Sequence, residues 1–145
     1  MQHEPLIVER VYDHPVQKVW TALSDRQQMK QWYFDIADFK PELGAEFSFT
    51  GEDGDLKFVH LCRITALEPG KKIAYTWTYE KYEGHSEVTF ELFPEGDKTR
   101  LRLTHTGLES FPDAKSFRRE SFQGGWNYII NESLTKFLDG APATA

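Results

Sequence analysis

The sequence predicts an α+β fold in which a curved, six-stranded antiparallel sheet wraps around one long helix. Alternating apolar residues mark six strand segments, and five of them follow one another through short, glycine-containing turns. Two short helical patterns lie between the first and second strands, and one long amphipathic pattern lies near the end of the sequence. Because an antiparallel sheet with one apolar face must be covered, the long helix is expected to cover it.

The first elements are a strand and two short helices. The run from Pro5 to Tyr12 is rich in β-branched and aromatic residues, which favours a strand. Apolar residues then recur at helical spacing, which predicts a helix with Pro15 in its first turn and Asp13 or His14 as its cap. A capping-box pattern that begins at Asp25 predicts a second short helix.

The next five strands are predicted as a meander. Apolar and polar residues alternate along each of them, and the turn sequences GEDGD, EPGKK and PEGDK separate several of the strands. The predicted strands are centred on residues 45–50, 56–67, 73–79, 88–92 and 101–103. Connections this short join neighbouring antiparallel strands.

The last element is a helix over Ser121 to Leu138, and it contains an adjacent glycine pair, Gly124 and Gly125. Each glycine costs a helix about 1 kcal/mol relative to alanine. We expect the pair to bend the helix or to loosen its N-terminal part as a gate; the alternative is a straight helix with a packing contact at Gly125. The residues on the predicted apolar face are Phe122, Trp126, Ile129, Ile130, Ser133, Leu134 and Phe137. A curved sheet around such a helix is a helix-grip arrangement, which leaves a cavity between the two.

Composition and charge restrict the classes of function. The 145 residues are 39% hydrophobic and 14% aromatic, which suits one folded domain over 1–145, ordered at about 5–139 with a flexible tail at 140–145. The net charge of −6 argues against nucleic acid and anionic membranes as partners. One cysteine excludes an intrachain disulfide, and no stretch approaches the roughly 20 apolar residues of a membrane span. We therefore expect a cytoplasmic protein that is a monomer or weak dimer.

Several runs of the sequence resemble one family. The resemblance begins with VERVYDHPVQKVWTALSD and MKQWYF, and it continues with LCRITALEPGKKIAYTW, LRLTHTGL and GGWNYIINESLTKFL. In order and spacing these runs are similar to the START-like (SRPBCC) superfamily, which includes the birch pollen allergen. More narrowly, they resemble homologues of the activator of the heat-shock-ninety ATPase. The resemblance covers roughly Pro5 to Leu138.

The resemblance implies a helix-grip fold whose interior holds an apolar small molecule, lipid-like or polycyclic aromatic, for sensing, sequestration or transport. Two alternatives follow from the same superfamily. One is a cyclase- or hydratase-type enzyme, because relatives include polyketide cyclases and aromatases. The other is a chaperone-associated or stress-response interaction module, although the N-terminal domain that serves chaperone contact in eukaryotic relatives is not expected here.

Aromatic residues dominate the positions expected to face the interior. Core packing explains any one ring, but so many rings together favour a partly hollow core that binds flat apolar ligands. Trp32, Tyr33 and Phe34 follow a short helix and are expected at the mouth of the cavity, where a mobile rim could open. The predicted ligand-binding residues are Trp32, Phe34, Phe47, Phe49, Phe58, His60, Tyr75, Trp77, Phe90, Leu101, Leu103, His105, Phe122, Trp126, Ile129 and Ile130.

Few residues suggest catalysis. His60 and His105 are in phase with inward apolar neighbours, where a packed core histidine is the commoner case and a ligand hydrogen bond the alternative. Glu9 and Arg10 are adjacent on a strand, so one of them points inward or lies where the strand is uncovered. An enzyme would use His60, His105 or the inward member of this pair for proton transfer. We predict no catalytic residue, no cofactor and no metal, because no cluster has metal-ligand spacing.

Overall fold

The computed structural model describes residues 5–34, 36, 39–53, 56–112 and 119–140, without the side chains of 52, 53 and 56. His3 and residues 141–145 of the expected tail lie outside the described residues. The strands are β1 (Leu6–Tyr12), β2 (Glu46–Asp53), β3 (Leu56–Glu68), β4 (Lys72–Tyr79), β5 (Ser86–Glu95) and β6 (Lys98–Thr106). The helices are α1 (Val16–Ser24), α2 (Arg26–Trp32), a 3₁₀ turn (Leu108–Ser110), α3 (Arg119–Tyr128), a π-helical segment (Ile129–Ser133) and α4 (Leu134–Gly140).

The six strands form one antiparallel sheet in the order β1-β6-β5-β4-β3-β2. Its inner face is built by the alternation seen in the sequence: Val88 and Phe90 of β5 are buried and pair with His105 and Leu103 of β6. Each of these side chains points to the same face because successive strand residues alternate sides. The C-terminal helix packs on this face, so the predicted α+β helix-grip fold is confirmed.

The caps of the first two helices differ from the expected ones. Pro15 is the N-cap of α1 rather than a residue of its first turn, and its carbonyl accepts the first helical N–H bonds. The expected side-chain cap from Asp13 or His14 is therefore wrong. Asp25 is the N-cap of α2 as expected, but its side chain makes no capping bond. Packing of the buried helix faces, rather than capping, thus holds these short helices: α1 packs against β5 and β6, and α2 packs against α1 and α4.

Both glycines of the C-terminal helix lie inside regular α3. Gly124 and Gly125 are exposed, and a Cβ atom added at either would have nothing within 4 Å. The expected packing contact at Gly125 is therefore wrong. The departure from α-helical geometry comes later, in the π-helical segment that begins at Ile129.

The π-helical segment is tied to β1. The backbone N–H of Leu134 donates to the carbonyl of Ile129, five residues back, as in a π-helix. The carbonyl of Ile130 accepts a hydrogen bond from the hydroxyl of Tyr12 at 2.5 Å. Because this turn is wider than an α-helical one, the residues that face the sheet shift along the helix. Leu138 is fully buried, whereas Phe137, which the regular period predicted to face inward, is only half-buried.

Candidate functional site

The predicted ligand-binding residues lie on the inner face of the sheet, on the C-terminal helix, or at the end of α2. All of them are buried except Phe34 and Ile129, which are half-buried. Leu101, Leu103 and Ile130 are fully buried aliphatic side chains between sheet and helix. The aromatic members form the contacts described next, which make this interior the candidate site.

One wall of the interior is an aromatic stack centred on Phe49 of β2. Its ring packs on Phe34 and on His60, with centroids 4.4 Å apart in each pair and interplanar angles of 27° and 9°. The centroids of Phe34 and His60 are themselves 6.1 Å apart. The indole of Trp77 meets His60 edge-on, 4.8 Å away. Aromatic rings prefer these offset and edge-to-face arrangements. The stack therefore joins β2, β3 and β4 to the segment that follows α2.

The C-terminal helix closes the interior with Trp126. Its ring centroid lies 5.2 Å from that of Trp77 and 6.0 Å from that of Phe90. On the same inner face, Tyr75 contacts Phe47 at 5.1 Å and Phe90 at 6.0 Å. Sheet and helix thus present aromatic rings to one another.

Three of the predicted aromatic residues lie at the edge of this arrangement. The indole N–H of Trp32 donates to the carbonyl of Ala22 in α1 at 2.9 Å, so this ring packs between helices. Phe58 contacts Tyr79 at 5.8 Å, at the other end of the inner face. Phe122 contacts His105 at 5.3 Å, near the start of the helix.

The sequence interpretation placed Tyr33 at the mouth of the cavity and left it out of the ligand-binding residues, whereas its ring lies at the centre of the interior. Tyr33 follows α2, and its ring contacts Phe49 and Phe90 at 6.3 Å and Trp126 at 6.2 Å. Its hydroxyl lies 2.8 Å from that of Tyr75. Tyr33 belongs to no strand and no periodic pattern. The one signal in the sequence that points to the interior is its position between the aromatic residues Trp32 and Phe34.

His105 is held on both sides by hydrogen bonds. Trp126 donates its indole N–H to Nδ1 at 3.0 Å, and Nε2 lies 2.9 Å from Oγ of Ser86. Burial lowers the pKa of His105 to about 3, so the ring is neutral near pH 7. Both ring nitrogens are engaged, which leaves this histidine little capacity for proton transfer.

His60 is also neutral. Burial lowers its pKa to about 4, partly offset by hydrogen bonds to backbone carbonyls, including that of Phe58 at 3.1 Å from Nδ1. A carbonyl only accepts, so Nδ1 carries the proton. Burial likewise raises the pKa of the Cys62 thiol, which keeps it protonated and unreactive. The chemistry of these groups suits binding of neutral molecules.

The orientation of Glu9 and Arg10 is now settled. Arg10 is half-buried on the inner side, where Nη1 donates to Oδ1 of Asn131 at 3.3 Å and Nε has no partner among the described residues. Glu9 is exposed and binds Arg102 and Arg100 on the outer face. The arginine therefore lies at the β1 edge, beside the π-helical segment, rather than among the aromatic rings.

Two open grooves lie outside the aromatic interior. One, of about 540 Å³, runs along the outer side of β2, β3 and β4 and is lined partly by Arg63 and Thr78. The other, of about 530 Å³, borders the turn at Gly70 and reaches Phe93. In the described part of the chain, no group of three His, Cys, Asp or Glu residues could hold a metal ion. Within the same residues, no helix is long and apolar enough to cross a membrane.

Comparisons with known proteins agree with this fold. A model of the family described as Activator of Hsp90 ATPase homolog 1-like protein matches residues 13–139. MLL2253 from Mesorhizobium loti is 30% identical, with a TM-score of 0.74 over 94% of this chain and 97% of that one. CalU16 from Micromonospora echinospora is 26% identical, with a TM-score of 0.71 over 97% and 79%. CV1439 from Chromobacterium violaceum is 21% identical, with a TM-score of 0.79 over 95% and 98%.

No curated protein matches the sequence. The family match nevertheless spans most of the chain, from the residues before α1 to the last turn of α4. Its fold is of the type that supports a ligand-binding domain. The chain therefore belongs to the Activator of Hsp90 ATPase homolog 1-like family, within the START-like superfamily.

Proposed function

We propose that this protein binds an uncharged apolar small molecule between the sheet and the C-terminal helix. The observation that carries the proposal is the aromatic lining, in which Trp77 and Phe90 of the sheet contact Trp126 of the helix and Phe49 contacts Trp77. Such rings gain about 25 cal/mol for each Å² of apolar surface that a ligand buries against them. A lipid-like or polycyclic aromatic molecule, bound for sensing, sequestration or transport, fits this lining.

The charge state of the lining supports an uncharged ligand. The low pKa values of His60 and His105 keep both rings neutral near pH 7. The half-buried cation Arg10 lies at the β1 edge, where it binds Asn131. A charged ligand group among the rings would lose its hydration without a partner, which costs several kcal/mol.

Binding is favoured over the cyclase or hydratase alternative. Both nitrogens of His105 are paired with protein groups, Trp126 and Ser86, rather than directed at an open position. A general base must reach the proton that it removes, and a pKa near 3 or 4 makes either histidine a weak base at pH 7.

Titration with two uncharged probes, the fatty alcohol 1-dodecanol and naphthalene, tests the proposal. We expect either probe to shift the indole N–H resonances of Trp77 and Trp126, because both indoles line the interior. Phe49→Leu should weaken binding severalfold, whereas Phe93→Leu, on the outer face where Arg100 covers the ring, should not change it. Unshifted indole signals up to the solubility limit of both probes would refute the proposal.

Three further expectations remain predictions from the sequence and the resemblance: cytoplasmic location, a monomeric or weakly dimeric state, and contact with a chaperone. Sedimentation velocity over a range of protein concentrations measures the oligomeric state. A pulldown with the purified chain tests chaperone contact independently of ligand binding.

A further inference from the structure

The centre of the aromatic interior is filled by a side chain from outside the sheet and the helix. Tyr33 follows α2 and reaches between the two layers, where its ring lies 6.3 Å from Phe49 and Phe90 and 6.2 Å from Trp126. The ring is nearly parallel to the indole, at 22°, and perpendicular to Phe90, at 88°. It therefore makes the stacked and edge contacts that a flat ligand would make with the same walls.

One polar contact accompanies these ring contacts. The Tyr33 hydroxyl lies 2.8 Å from the hydroxyl of Tyr75, a residue of β4 that is only 2% exposed. The Tyr75 hydroxyl is thus directed at the space that Tyr33 fills. A buried hydroxyl that loses its partner pays its full desolvation cost, so whatever replaces the Tyr33 ring must also bond to Tyr75.

Resting on the proposed function, we infer that Tyr33 occupies the place of the ligand, and that the ligand is a planar aromatic molecule with a hydroxyl group. On binding, this molecule displaces the Tyr33 ring and takes over its hydrogen bond to Tyr75. Tyr75 is then the residue that selects hydroxylated aromatic molecules over plain hydrocarbons.

The position of Tyr33 allows this exchange. The residue is half-buried, so part of it already faces solvent. No strand pairing holds it; its backbone N–H bonds to Met29 at the end of α2, at 2.7 Å. Its ψ angle of −104° lies outside the helical and extended regions. The side chain can therefore leave while the sheet and both layers of the core keep their bonds.

A residue that occupies its own ligand site competes with the ligand. The apparent dissociation constant equals the intrinsic one divided by the fraction of molecules in which Tyr33 is displaced. Weakening the hold of Tyr33 should therefore strengthen ligand binding, although it removes contacts from the folded protein. Simple core packing predicts no such gain for Tyr33→Phe, which keeps the ring, whereas Tyr33→Ala opens an apolar cavity in either case.

The test uses 2-naphthol and naphthalene, which differ by one hydroxyl, and the indole signals of Trp77 and Trp126 as readout. Tyr33→Phe keeps the ring but removes its bond to Tyr75, so we expect 2-naphthol to bind about five- to tenfold more tightly than to the wild type. Tyr33→Ala should strengthen binding of both probes at least tenfold. Tyr128→Ala, which removes an exposed tyrosine of α3, is the matched control and should change neither affinity.

The role of Tyr75 is read from a second comparison. Adding Tyr75→Phe to Tyr33→Ala should weaken 2-naphthol binding about five- to tenfold and leave naphthalene binding unchanged. For each probe, the affinity of the double variant is compared with that of Tyr33→Ala, because the absolute affinities of the two probes also differ through their hydrophobicity. Equal effects on both probes would overturn the selection for a hydroxyl group.

The outcomes separate this inference from the proposed function. If both probes shift the indole signals of the wild type but Tyr33→Phe binds 2-naphthol no better, the inference alone is overturned, whatever the affinity of Tyr33→Ala. If neither probe shifts the indoles in the wild type or in either variant, the proposed function fails as well. Should Tyr33→Ala not fold, Tyr33→Phe, which keeps the ring, decides by itself.

Discussion

Trp126 donates its indole N–H to Nδ1 of His105 across 3.0 Å and so joins the C-terminal helix to β6 inside the core. Because Nδ1 accepts, the proton of the neutral ring stays on Nε2, which donates to Oγ of Ser86 at 2.9 Å. The Ser86 hydroxyl in turn donates to the carbonyl of Trp77 at 2.6 Å. The chain of bonds thus links helix, β6, β5 and β4, with each of its side-chain polar atoms paired.

Removing the middle of this chain should be costly. His105→Ala leaves a cavity and strands the indole N–H of Trp126, so we expect the free energy of unfolding to fall by about 3–5 kcal/mol. Ser86→Ala removes one bond and should cost about 1 kcal/mol. Urea unfolding at pH 7.5 measures both.

The neighbouring His85 provides the control for this series. Its side chain is exposed, so His85→Ala should change the free energy of unfolding by no more than about 0.5 kcal/mol. A loss at His105 as small as the loss at His85 would contradict the structural role of the hydrogen-bonded chain.

The two buried histidines should make stability depend on pH. Burial lowers the pKa of His60 to about 4 and that of His105 to about 3, from an ordinary value of 6.5. Between pH 6.5 and about 4, both histidines are therefore protonated in the unfolded chain but remain largely neutral in the folded protein. Stability is intact above pH 6.5 and falls as the pH drops, by up to about 1.4 kcal/mol per pH unit for each histidine.

A variant without His60 isolates the share of this effect that His60 contributes. His60→Phe keeps a ring in the stack with Phe49 but does not titrate. Urea unfolding of wild type and variant at pH 7.5, 6.5 and 5.5 should show a shallower decline for the variant below pH 6.5. The window lies above the ordinary carboxyl pKa of 4.5, where acidic residues contribute less. Parallel declines would show that His60 does not resist protonation in the folded state.

The strands could be predicted closely because their burial repeats every second residue. Leu56–Glu68 was expected to end only one residue earlier, and the inward phase of His60 and His105 follows from the same alternation. A period of two is legible in sequence because one face of each strand is buried against the helix. The ring stack depends on the register between neighbouring strands, and the Trp126–His105 bond depends on where the helix packs on the sheet; the alternation specifies neither.

Other features depend on contacts between distant parts of the chain. Tyr33 enters the interior from a segment without periodicity, and its place is determined by Tyr75, which lies far from it in sequence. The π-helical segment begins one residue before Ile130, whose carbonyl is bound by Tyr12 of β1. The regular helical period therefore predicts that Phe137 faces the sheet, whereas Leu138 is the residue that is fully buried.

Gly51 is predicted to tolerate alanine poorly. A Cβ atom added at Gly51 of β2 would lie 2.9 Å from Cε1 of His60, which is closer than real Cβ contacts allow. His60 cannot yield easily, because its ring is stacked on Phe49 and abuts Trp77. Gly51→Ala should therefore lower the free energy of unfolding by about 1–3 kcal/mol, as measured with urea.

The double variant Gly51→Ala/His60→Ala checks the cause of this loss. It removes the ring that the new methyl group meets, so it should be less destabilised than the sum of the two single variants. Additive losses would place the cost elsewhere than in the contact between these two residues.

The same substitution should have the opposite sign in the C-terminal helix. Gly124 and Gly125 are exposed within α3, and an added Cβ at either would have nothing within 4 Å. Each alanine should stabilise the helix by about 0.5–1 kcal/mol, and the double variant by about 1–2 kcal/mol, because glycine loses more backbone freedom on folding. Urea unfolding measures this gain, and a loss of stability would contradict it.

The glycine pair is also the candidate gate of the interior. Release of bound 2-naphthol, followed by stopped-flow tryptophan fluorescence, tests this role. If the flexibility of the pair opens the interior, the double variant should release the probe more slowly than the wild type. Equal release rates would contradict a gating role.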